Sequence, residues 1–84
     1  MNIDPLLDVI INIILFFELS GSDAVQADVA VAMLEQIASA LQRLDPDLRD
    51  RLINYAMSEA RHATSEEQRL ALQSLPENMG LSPT

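Results

Sequence analysis

Asp4-Pro5 opens an apolar run that no ordinary surface helix could carry. From Ile3 to Leu19, twelve of seventeen residues are apolar, and the only charges are Asp4, Asp8 and Glu18. Aspartate before proline is a helix start signal, with Asp at the N-cap and Pro at the first helical position. The run therefore predicts a helix over 5–19, ended by Ser20-Gly21-Ser22, where Gly21 suits a left-handed cap. At about 100° per residue, Asp4, Asp8 and Asn12 form one narrow polar stripe. A helix apolar nearly all round is expected to be buried nearly all round. The β-branched Val9, Ile10, Ile11, Ile13 and Ile14 also permit a strand, but the length and the Asp-Pro start favour a helix.

This run is neither an export signal nor a membrane span by its own chemistry. A signal peptide wants a positive start, and here Asp4 precedes the apolar core. The uncharged stretch from Val9 to Phe17 is about half of a span and contains Asn12.

Three more helices follow from the punctuation, giving an all-α fold in one domain spanning 1–84. A second helix is expected over 23–44, with Ser20, Ser22 or Asp23 as its cap. Its apolar residues Val29, Met33, Ile37, Ala40, Leu41 and Leu44 recur at helical spacing, and Ala27, Ala30, Val31, Leu34 and Ala38 widen the arc to about 200°. Asp45-Pro46 repeats the start signal for a third helix over 46–63, with Leu48, Leu52, Tyr55 and Ala56 inward. Thr64-Ser65-Glu66-Glu67 offers a T-x-x-E capping box for a short fourth helix over 65–75, unless the third and fourth form one rod. Pro76 is expected to end it, leaving 76–84 as a tail anchored by Met79 and Leu81.

One helix without a polar face and a second with a wide apolar arc carry more apolar surface than two neighbours readily cover. The expectation is a small bundle of three helices plus a short fourth, completed by homodimerisation. Val9, Ile13, Phe16, Phe17, Val31, Leu34, Ile37 and Leu41 would form the self-association surface.

Charge narrows the partners. The chain of 84 residues has 13 acidic residues against 5 arginines, no lysine and no cysteine, a net charge of −8. That composition excludes a P-loop, a Schiff-base lysine, thiolate chemistry and cysteine-ligated zinc. It argues against binding nucleic acid phosphate or an anionic membrane, and toward a basic protein partner. Asp28, Glu35, Asp45, Asp47, Asp50, Glu66 and Glu67 are the candidate contacts. A cysteine-free chain fits the cytoplasm.

Chemistry-bearing constellations are sparse. Glu59-x-x-His62 has the i, i+3 spacing of carboxylate-bridged di-iron bundles, and a dimer could add Glu18 or Glu35. But His62 points about 60° away from Glu59, and a surface histidine near a helix C-terminus explains it as well. Glu59 itself, in an apolar sector, is expected to meet Arg43, Arg49 or Arg61, or to share a hydrogen bond with Tyr55. Asp45-x-Asp47-x-x-Asp50 fails as a calcium loop, since Asp50 stands where glycine is needed. Gly21-Ser22-Asp23 has the wrong order for the Asp-Ser-Leu of acyl carrier proteins, so Ser22 reads as a cap. No nucleophile–base pair is visible, and no cofactor is implied. The sequence therefore reads as a small acidic protein-binding module, fitting an inhibitor, immunity or antitoxin-like factor, or a secretion chaperone. Its alternative is a homodimeric structural or adaptor protein, and its lesser alternative a dimeric carboxylate–metal protein.

Overall fold

The computed structural model describes residues 2–19 and 26–81. Every regular element among them is a helix: α1 (Asp4–Leu19), α2 (Ala27–Leu41), α3 (Pro46–Arg61) and α4 (Glu66–Asn78). The expected caps of the second helix at Ser20, Ser22 and Asp23, and Gly21, lie outside the described residues.

α1 is the central element and packs on all three others. Its start differs from expectation by one residue. Leu7 N–H bonds to Ile3 O at 3.0 Å, so the first turn begins at Asp4, and Asn2 Oδ1 accepts from Asp4 N–H at 3.1 Å. The inward face of α1 is Leu7, Ile11, Ile14 and Leu15, all buried at i, i+4, i+7, i+8 spacing.

α2 begins at Ala27 rather than at the expected residue 23, with Gln26 extended at its N-cap, and it ends three residues before the expected Leu44. Gln42, Arg43 and Leu44 close it with a tightened turn, Arg43 N–H to Ala40 O and Leu44 N–H to Leu41 O. Pro46 disfavours helical backbone at Asp45, which enforces the break. Arg49 of α3 then reaches back and donates from Nη2 to Gln42 O at 3.0 Å, satisfying a carbonyl the helix end leaves open.

α3 and α4 are two helices, not one rod. His62 N–H bonds to Glu59 O and Ala63 N–H to Ala60 O, which tightens the end of α3. Ser65, not Thr64, caps α4: its Oγ accepts from Gln68 N–H at 3.1 Å. The short connection makes an antiparallel hairpin. Ala56 and Ala60 of α3 are buried beside Leu52, and their small side chains let the partner helix approach closely. α4 contributes Leu72, Leu75 and Pro76. The core thus lies between the inner face of α1 and the α3–α4 hairpin, with Leu41 of α2 closing one side.

Pro76 does not end α4, which runs on to Asn78. The proline removes one donor, that for the Leu72 carbonyl. The helix is terminated instead at Gly80, whose φ of +70° is left-handed. Leu81 N–H bonds to Pro76 O at 2.8 Å and Gly80 N–H to Glu77 O at 3.1 Å, the paired bonds of a Schellman motif. Met79 and Leu81 are buried and lock this end onto the core. Gln42 Nε2 also donates to Met79 O at 2.9 Å, tying the end of α2 to the end of α4.

Candidate interaction surface

α1 departs most from expectation. Its three helical neighbours all take one side of it, so it is not buried nearly all round. Leu6, Val9, Ile13 and Phe16 face solvent, each 44–61% exposed. The polar stripe is turned toward α3 instead. Asp8 is half-buried there, accepting from Tyr55 Oη at 3.4 Å and from Asn12 Nδ2 at 3.3 Å. Asp4 lies 3.8 Å from Arg51 Nη2 in an exposed pair. The carboxylates of α1 therefore serve the α1–α3 contact, and its apolar back is left open.

This open face continues onto α2. Ile10 and Ile13 meet Ile37, Ala40 and Leu41 around a depression of about 270 Å³ with no polar lining. Val9, Asn12, Ile13, Phe16 and Phe17 line a second depression on the other side of Ile13. Phe16 and Phe17 pack edge to face, with centroids 5.4 Å apart. On α2, Met33 and Val29 stand one and two turns before Ile37, on the same helix face. Four roughly half-exposed large side chains on α1 alone present on the order of 400 Å² of apolar surface, at the level where monomer patches are often functional.

The eight residues expected to self-associate divide between two places. Val9, Ile13, Phe16, Phe17 and Ile37 share the open face, and Leu41, although buried in the core, forms part of its floor. Val31 and Leu34 do not belong to it. They line a separate depression on the opposite flank of α2, with Glu18, Glu35, Ala38, Asn78 and Met79. Leu6, Ile10 and Ala40 were missing from the expected set. Their signal was present: Leu6, Ile10, Ile13 and Phe17 recur at i, i+4, i+7, i+11, one seam of a helix.

All seven expected partner-contact carboxylates are exposed. They do not form one patch. Asp45, Asp47 and Asp50 sit at the start of α3, whereas Glu66 and Glu67 start α4 at the other end of the hairpin, roughly 20 Å away at 1.5 Å per residue. Asp28 and Glu35 lie on α2. Asp45 holds the N-cap position of α3 but its side chain makes no cap hydrogen bond, so its carboxylate stays free at the positive helix end. Glu66 pairs with Arg69, which holds its carboxyl below the usual carboxylate range and raises the guanidinium.

Glu59 and His62 do not form a site together. His62 is exposed at the end of α3, with Nδ1 3.1 Å from the Ser58 carbonyl oxygen. Among the described residues, no three acidic, histidine or cysteine side chains converge as a metal site would require. Glu59 is half-buried, with no ion pair to any arginine among the described residues. Tyr55 bonds to Asp8 rather than to Glu59. Its hydroxyl is pushed above the usual phenol range, first by desolvation and then by the carboxylates of Asp8, Glu59 and Asp4.

No helix among the described residues is long and apolar enough to cross a membrane. Comparison with family models, with curated proteins and with solved structures gives no match.

Proposed function

We propose that this chain is a non-catalytic protein-binding module that holds a basic partner protein, in the manner of an inhibitor, an immunity or antitoxin-like factor, or a secretion chaperone. The observation that supports this reading is the open apolar α1–α2 face on a chain whose net charge is −8. Residues 1–42 hold Asp4, Asp8, Glu18, Asp23, Asp28 and Glu35 and no arginine or lysine. An apolar face supplies affinity, and a one-signed acidic field supplies steering and selectivity. The cysteine-free composition fits a cytoplasmic setting.

A homodimer is the second reading, favoured by one observation: no charged side chain lines the two depressions around Ile13. A second copy could therefore meet this face without burying an ion.

The test is capture from the source cells with tagged protein, washed at rising salt. The reading expects a stoichiometric basic protein that leaves at high salt. It also expects the triple change Asp45→Asn, Asp47→Asn, Asp50→Asn to slow association and flatten its salt dependence. A preparation that contains only this chain would overturn it in favour of self-assembly.

A further inference from the structure

We infer that the depression where the ends of α1 and α4 meet the flank of α2 receives a long cationic side chain, arginine or lysine, of the basic partner. This rests on the protein-binding reading above and adds the contact at which that partner's charge is recognised.

The depression is apolar below and acidic at its edge. Buried Met79 and half-buried Leu34 and Ala38 make its floor, and exposed Val31, Glu18 and Glu35 make its rim. It holds about 180 Å³, well below the roughly 300–1,000 Å³ of small-molecule sites, so it suits one side chain.

Negative charge reaches it from three directions. Glu35 comes from α2, and Glu18 stands in the last turn of α1. Asn78, also in the lining, is the last residue of α4. The C-terminal ends of two helices therefore meet at the depression, each equivalent to about half a negative charge. Neither helix has a basic residue in its last turn. Among the described residues neither Glu18 nor Glu35 forms an ion pair. Residues 1–42 and 70–84 hold no lysine or arginine.

The apolar floor and the charged rim together select the occupant. A long cationic side chain lays its methylene stem on apolar surface and keeps its head among polar groups. The depressions around Ile13 have no charged lining, so they do not discriminate by charge. α2 carries both features: Ile37 faces the open groove, and Val31 and Leu34 face this depression. A partner lying across α2 engages both. A second copy is a poor source of the cation. It repeats the net charge of −8 and has no lysine, and Arg49, Arg51 and Arg69 already serve contacts within the fold.

The probe is a short capped peptide with one arginine among alanines, so that this side chain carries its only charge. One control replaces the arginine by citrulline, which keeps the shape and removes the charge. Amide shifts of the isotope-labelled full chain report binding at low and moderate salt. The arginine peptide should shift Val31, Leu34, Glu35, Ala38 and Asn78, and bind about fivefold more tightly than the citrulline peptide. Glu18→Gln and Glu35→Gln should each weaken it about threefold, and the pair about tenfold. Both carboxylates are exposed, so the glutamines should keep the fold, which circular dichroism verifies. Equal binding of the citrulline peptide, indifference to both glutamine changes, or shifts centred on Asp45–Asp50 or Glu66–Glu67 would overturn the inference. So would a wild-type dimer in sedimentation that the double change dissociates, since the cation would then come from a second copy. If the double variant captures the salt-releasable basic partner as tightly as wild type, this contact is wrong and the protein-binding reading stands. If wild-type protein captures no such partner, that reading fails and the inference falls with it.

Discussion

Gly80→Ala is the change that probes the fold most sharply, because one methyl group meets two separate obstacles. Gly80 has φ +70°, where an L-residue clashes with its own carbonyl; the cost is about 1 kcal/mol or more. A Cβ there would also run into Gln42 Nε2 and lie 3.1 Å from Gln42 Cδ. The glutamine can swing away, but it then gives up its 2.9 Å bond to Met79 O, worth about 1 kcal/mol. The sum is about 2–3 kcal/mol, or a fall in Tm on the order of 10–15 °C for a domain this small. Urea unfolding followed by circular dichroism measures it. The decisive comparison is a double-mutant cycle with Gln42→Ala. In that background Gly80→Ala should cost only the backbone share, about 1 kcal/mol. A Gly80→Ala cost below about 0.5 kcal/mol, or strict additivity of the two changes, would refute the account of how the ends of α2 and α4 are joined.

Three other outcomes follow from the same contacts. Leu52 is fully buried between α1 and α4, so Leu52→Ala should cost about 2–5 kcal/mol in urea unfolding, enough to leave much of the chain unfolded. Ser65→Ala removes the cap of α4 and should cost about 1 kcal/mol by the same assay, whereas Thr64→Ala should cost far less. Tyr55 titrates above the usual phenol range in the fold, so its contribution to stability is complete below the unfolded phenol pKa and is lost as pH rises through the higher folded value. Asp8→Asn removes a neighbouring negative charge, and tyrosinate absorbance of this single tyrosine should then appear at lower pH.

The local signals of the sequence were strong where they depended on a few adjacent residues. Asp45-Pro46 marks the start of α3, and the inward positions Leu52 and Ala56 follow from periodicity alone. Met79 and Leu81 are anchored as their apolarity suggests. Pro76 misled because a single proline usually stops a helix, whereas here the stop is the Gly80–Leu81 pair four to five residues later. That pair, a glycine flanked by two apolar residues, was a readable Schellman signature. Tyr55 and Asp8 stand 47 positions apart, and no local rule connects them. α1 shows the general limit. Its composition correctly announced excess apolar surface, but composition is blind to which side neighbours occupy. In the fold they all gather on the side of Leu7, Ile11, Ile14 and Leu15 and leave Leu6, Val9, Ile13 and Phe16 to solvent.

The eight positions chosen for self-association show the same limit at the site. Val31, Leu34, Ile37 and Leu41 of the wide arc on α2 were assigned to one interface, yet the fold separates them. Ile37 falls on the open groove, while Val31 and Leu34 fall beside Met79. The acidic positions were easier to place, since single carboxylates in helix first turns are nearly always exposed. Their separation along the α3–α4 hairpin was not readable, because it depends on the break at His62–Ser65 that the sequence left open.

The central claim is that the α1–α2 face is the working surface of the chain. The most direct measurement is a residue-resolved amide shift titration of isotope-labelled protein with the captured basic partner. The account predicts that the largest shifts fall on residues 6–17 and 29–41, with the hairpin ends at Asp45–Asp50 and Glu66–Glu67 changing little. Shifts confined to those acidic ends, with Ile13 and Phe16 unmoved, would contradict it.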